Sequence, residues 1–124
     1  MNRIVMGFLV ALSAALLLGI PAGAQDKPVR AVSFSKEVLP ILKAGCGKCH
    51  SGGNAKGKLD LSSYASIKKG GSGGPAFVEG NPDKSPLVTS ISGDKPEMPK
   101  KAAPLTKAQI ATISSWVKEG AKNN

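Results

Sequence analysis

The chain opens on an apolar run from Ile4 to Ile20 that holds no charged residue; after it, apolar positions come in short, separated groups. Arg3 precedes the run, and Pro21 with the small triplet Ala22-Gly23-Ala24 follows it. A positive residue, an apolar stretch and a small-residue triplet are the marks of an export signal. Residues 1–24 are therefore expected to be a cleaved signal peptide, and residues 25–33 a short polar lead-in. The competing reading is a retained anchor, since 17 residues sit at the lower edge of what spans a bilayer. The cleavage triplet, with no basic cluster after it, favours removal. No permanent membrane span is expected, and the remainder is delivered outside the cytoplasm, to a bacterial periplasm.

Beyond the lead-in the apolar spacing is helical. Phe34, Val38, Ile41 and Leu42 share one face of a helix expected to run to about Ala44, with Ser35 as N-cap and Gly45 as its end. Pro40 either kinks that helix or marks its true first turn. Residues 51–58 read as a flexible loop, and residues 62–69 as a short second helix. Gly70-Gly71-Ser72-Gly73-Gly74-Pro75 follows. No strand precedes it and no GK[ST] closes it, so phosphate binding is disfavoured; close approach of backbone to a cofactor competes with a plain linker. Ser85-Pro86 reads as an N-cap and a first helical proline, with Leu87, Val88 and Ile91 as the apolar side. The last helix is the clearest. Thr106 and Gln109 form a capping box, and Leu105 and Ile110 a hydrophobic staple. Ile110, Ile113, Trp116 and Val117 make its buried stripe, and Gly120 its stop. No strand pattern and no internal repeat emerge.

Composition narrows the function classes. With 124 residues, 15 of them glycine, and only Phe34, Tyr64, Phe77 and Trp116 as aromatics after the export segment, there is no room for a large enzyme core. Domains this poor in apolar bulk lean on a disulfide, a metal or a cofactor. The net charge is +9, of which Arg3 contributes one. The positives are nearly all lysine, spread along the chain without interleaved aromatics or a nucleic-acid motif, and lysine is poor at bidentate phosphate recognition. Nucleic acid is not expected; an acidic protein partner steered by lysines such as Lys48, Lys100 and Lys101 is, against the plainer alternative of a solvated surface.

The chemistry sits in Cys46-Gly47-Lys48-Cys49-His50. C-x-x-C-H is the covalent haem attachment signature: two thiols on one turn add to two vinyl groups, and the next residue offers an imidazole to the iron. A thioredoxin-like pair would want a βαβ context. A disulfide across so short a loop would constrain little. Zinc would lack a fourth ligand, because the chain has no other Cys or His. His50 is the only histidine, and Met98 the only methionine after the export segment. The sixth iron position is thus left to Met98, a lysine, the tyrosine or nothing. Met98, held between Pro96 and Pro99, is the best placed, although a methionine often just fills space. A thioether favours ferrous iron and, with His50, leaves no open site, which suits electron transfer over turnover.

These elements in order, from Phe34…Val38-x-Pro40-Ile41-Leu42 through Cys46-x-x-Cys49-His50, Leu59-Asp60-Leu61, Gly70-Gly71…Gly74-Pro75…Gly80-Asn81-Pro82 and Met98-Pro99 to Trp116-Val117…Gly120-Ala121, resemble a class I c-type cytochrome, in particular the planctomycete-type monohaem domain. The resemblance implies an all-α, cytochrome c-like fold of about four to five short helices around one haem c over residues 34–124, with the first and last helices crossing. It implies thioethers at Cys46 and Cys49, His50 as proximal and Met98 as distal iron ligand. Lys100 follows Pro99 where the family often has a second proline. The function so implied is a periplasmic single-electron carrier, not an enzyme, working between a protein donor and a protein acceptor as a monomer or small subunit. The alternatives are a haem subunit of a dehydrogenase complex and a haem ligand sensor with an open distal site.

Overall fold

The computed structural model describes residues 30–124; the signal peptide expected over residues 1–24 lies outside them. Four α-helices follow one another: α1 (Leu39–Cys46), α2 (Tyr64–Lys69), α3 (Pro86–Thr89) and α4 (Lys107–Lys118). A π-helical turn, Phe34–Val38, runs straight into α1, and single 3-10 turns lie at Lys56–Lys58 and Pro82–Lys84. Among the described residues there is no strand, only one isolated bridge between Gly71 and Gly74. The described residues are all-α, and no helix among them is long and apolar enough to cross a membrane.

The start of the first helix differs from expectation. Ser33, not Ser35, is the N-cap, and its hydroxyl accepts from the Lys36 N–H at 3.3 Å. Glu37 reaches back to the Ser33 N–H at 2.9 Å. The decision comes from the far end of the chain: the Asn124 side-chain oxygen accepts from Phe34 N–H, and its main-chain oxygen from Ser35 N–H, both at 2.8 Å. All the early N–H groups are thereby satisfied with Phe34 inside the helix, where its ring is buried. Pro40 does not break this helix; it stands in the first turn of α1, directly after the π turn, which is the second of the two expected placements. The wide π turn just before it relieves the clash that a proline ring would make with the carbonyl four residues back. Gly45 does not end the helix either, which continues to Cys46. A Cβ on Gly45 would stand 3.3 Å from Leu105, so its lack of a side chain serves close packing.

The four aromatics gather into one cluster around Trp116. Its ring lies 5.3 Å from Phe34, 5.2 Å from Phe77 and 6.3 Å from Tyr64. The polar ends of the cluster both reach the C-terminal tail: Tyr64 Oη donates to Ala121 O and Trp116 Nε1 to Lys122 O. Val38, Leu42, Ile67, Ile113 and Val117 complete the buried centre, so α4 packs on the first helix through Phe34 and Trp116. Helix α4 forms as its sequence dictates. The capping box is present in both directions, Gln109 N–H to Thr106 Oγ1 at 3.2 Å and Thr106 N–H to Gln109 Oε1 at 2.9 Å. Gly120, at φ +98°, closes the helix, with Gly120 N–H on Val117 O and Ala121 N–H on Trp116 O. That is the paired bonding of a Schellman end.

Ser85 stands at the N-cap of α3, with Pro86 at the first helical position, but its side chain does not cap the helix. It is fully buried, accepts from Val78 N–H at 2.8 Å and donates to Asn81 O at 2.7 Å. The hydroxyl ties down the Val78–Asn81 turn instead.

Candidate functional site

Helix α1 delivers Cys46 at its last turn, and the backbone keeps coiling past it. Cys49 N–H and His50 N–H both bond the Cys46 carbonyl, at 3.1 and 2.9 Å. One turn therefore carries both thiols and the imidazole, as the motif spacing requires. The segment that follows folds back onto this turn. Lys56 N–H donates to Cys49 O and Leu61 N–H to His50 O, each at 2.8 Å. That return brings the Leu59 carbonyl to 3.2 Å from His50 Nδ1. A carbonyl only accepts, so Nδ1 carries the ring proton and Nε2 keeps its lone pair for a metal. Nothing in the local sequence marks Leu59 for this role, because its carbonyl arrives through the fold-back and not through the helix.

Cys46, His50 and Met98 line a single cleft of about 260 Å³. Helix α3 gives Leu87 and Ile91 to its wall, the returning segment gives Leu59 and Leu61, and Gly71, Gly73 and Gly74 give bare backbone. Met98 is anchored by its own N–H, which donates to Ser90 O at 2.9 Å, just past the end of α3. The structure thus brings together three of the four residues expected at the site, across some fifty positions of sequence. The fourth, Cys49, is half-buried on the same turn but is not part of the cleft wall. The glycine run does more than link. A Cβ on Gly71 would meet Gly57 O at 2.6 Å and Leu59 Cβ at 2.9 Å, and one on Gly70 would run into the Gly74 carbonyl. These glycines let the wall close up behind the cleft.

Among the described residues no three His, Cys, Asp or Glu side chains are placed to hold one metal ion. Cys46 and Cys49 are not joined to each other in a disulfide, and burial pushes the Cys46 thiol above its ordinary value. A reactive redox cysteine is shifted the other way. What the cleft does suit is a flat apolar body: its wall is aliphatic and glycine-rich, and one imidazole and one thioether open onto it. That donor pair is the one that holds haem iron in cytochromes c. Lys48, Lys100 and Lys101 are all solvent-exposed, and none of them lines the cleft.

In comparisons with known proteins, residues 46–102 match the family model described as Planctomycete cytochrome C. That span begins at Cys46 and takes in His50, the glycine run and Met98. No curated protein and no solved structure matches the chain.

Proposed function

We propose that this chain, whose residues 46–102 match the planctomycete cytochrome c family model, is a periplasmic monohaem c-type cytochrome that passes single electrons. The carrying observation is the convergence of Cys46, His50 and Met98 on one cleft. Cys46 and Cys49 would hold the haem by thioether bonds, His50 through Nε2 and Met98 through its sulfur. When bound, the haem supplies a one-electron ferric/ferrous couple. The protein does the rest. The Leu59 carbonyl orients the His50 ring and strengthens it as a donor. The Ser90 carbonyl holds the Met98 backbone in place, so the weaker ligand need not be ordered anew in each oxidation state. Leu59, Leu61, Leu87 and Ile91 line the cleft with aliphatic surface, and an apolar surrounding with a thioether ligand would raise the potential. If His50 and Met98 both hold the iron, it would offer no site to oxygen or peroxide, which is why a carrier is favoured over an enzyme or a sensor. Exposed lysines give the surface a positive field suited to an acidic protein partner.

A pyridine haemochrome spectrum combined with intact mass tests the core of this reading. One haem with two saturated vinyl positions is the expected result; no covalent haem overturns it. Carbon monoxide tests the distal ligand. The reduced protein should bind it slowly and weakly, whereas Met98→Ala should bind it at once. Immediate tight binding by the parent protein would show an open site and favour a ligand sensor.

A further inference from the structure

One stretch of the cleft wall is built unlike the rest. Ser72 N–H donates to Gly57 O at 2.7 Å, which sets the Lys56-Gly57 turn directly beside the glycine run. Lys56, Gly57, Gly73 and Gly74 all line the cleft there. Gly73 stands apart from its neighbours. Gly70 and Gly71 are required because a Cβ would strike backbone, and Gly74 lies at φ +102°. Apart from its own chain neighbours, no described residue comes within 4 Å of where a Gly73 Cβ would be, and its φ is not positive. The N–H groups of Gly71, Ser72 and Gly74 all have carbonyl acceptors, whereas that of Gly73 has none among the described residues. Lys56 is exposed at the rim, is the only cation on the wall, and makes no ion pair among the described residues. The other ionisable groups on the wall are Cys46, His50 and Glu97. Helix α3 and the glycine run contribute none.

A haem is apolar over most of its area but carries two carboxylates. A carboxylate entering an aliphatic cleft is costly unless it finds a cation or a strong donor. Glu97, beside Met98, repels it. Lys56 and the unpaired Gly73 N–H attract it. We propose that the Lys56–Gly73 edge receives the haem carboxylates, Lys56 pairing with one while Gly73 N–H donates to a carboxylate oxygen. Lys56 is then a positioning residue that keeps a haem carboxylate ionised and, as a nearby positive charge, opposes the ferric state. This rests on the haem reading of the cleft.

The test is the reduction potential of the holoprotein followed from about pH 4 to pH 9, after a haemochrome spectrum has established that covalent haem is present. Ionisation of a haem carboxylate lowers the potential as pH rises through its pKa. In Lys56→Gln the ionised carboxylate loses its partner, so that inflection should move up by about half a unit to one unit. The potential at neutral pH should fall. Lys56→Arg should follow the parent profile. Lys36→Gln, an exposed lysine on the first helix away from the cleft, removes the same net charge and should leave the inflection in place. A Lys56→Gln profile that superposes on those of the parent and of Lys36→Gln would overturn the assignment while leaving the haem reading intact. Absence of covalent haem would overturn both.

Discussion

Ser85 offers the sharpest test of how this fold is held. In sequence it is an N-cap, and an N-cap serine exchanges for aspartate at almost no cost and for alanine at about 1 kcal/mol. In the structure its hydroxyl is fully buried, 2.8 Å from Val78 N, 2.7 Å from Asn81 O and 3.2 Å from Val78 O. Ser85→Ala strips the acceptor from Val78 N–H and the donor from Asn81 O, which costs about 1–3 kcal/mol. For a domain of this size each kcal/mol moves the thermal midpoint by roughly 4–8 °C, so a fall of about 10 °C is expected. Ser85→Asp separates the two roles. Its carboxylate could accept from Val78 N–H but would face two carbonyl oxygens in a dry site, at an expected cost of several kcal/mol. That approaches the lower end of what holds a domain together, about 5 kcal/mol. Thermal unfolding of the holoprotein, followed by far-ultraviolet circular dichroism and by the Soret band, measures both variants. A Ser85→Asp midpoint within about 2 °C of the parent would refute the buried tie and restore the helix-capping role.

Gly71→Ala should disturb the cleft without touching a ligand, because its Cβ must displace Gly57 O or Leu59. We expect a loss of about 1–3 kcal/mol, typical of overpacking, together with a changed Soret spectrum, while Gly53→Ala, where nothing lies within 4 Å, leaves both alone. Thr106→Ala should cost about 1 kcal/mol through loss of the capping box, read as a lower denaturant midpoint with unaltered haem spectra. Asp60 is held below the ordinary carboxylate range by the Ser62 hydroxyl and N–H. A depressed folded pKa gives stability that is present above the unfolded value and is lost as pH falls through the folded one. The acid limb of the pH–stability curve should therefore flatten in Asp60→Asn and match the parent at the lowest pH; an unchanged limb would show that the Ser62 contact contributes nothing. Haem-free Cys46→Ala/Cys49→Ala protein should lose the cooperative transition of the holoprotein, since the cleft wall of Leu59, Leu61, Leu87 and Ile91 then faces water. A transition matching the holoprotein would show that the aromatic cluster alone suffices.

Wherever partners lie within about one helical turn, the sequence was enough. The C-x-x-C-H turn, the Thr106–Gln109 box, the stripe ending in Trp116 and Val117, and the glycine stop at Gly120 all close through bonds spanning six residues or fewer, and each formed as its residues require. Met98, which lines the cleft, stood out for a different reason: it is the only methionine after residue 24. Long-range contacts decided the rest. Asn124 selected Ser33 over Ser35 as the cap of the first helix, a choice no local rule makes between two serines two positions apart. Leu105 explains Gly45, and the Val78–Asn81 turn drew Ser85 away from capping. Above all, the Leu59 carbonyl that orients His50 is a backbone atom. Every residue carries such a carbonyl, so composition and periodicity cannot single one out. Only the folding-back of the chain onto the haem-binding turn could choose which one meets the imidazole.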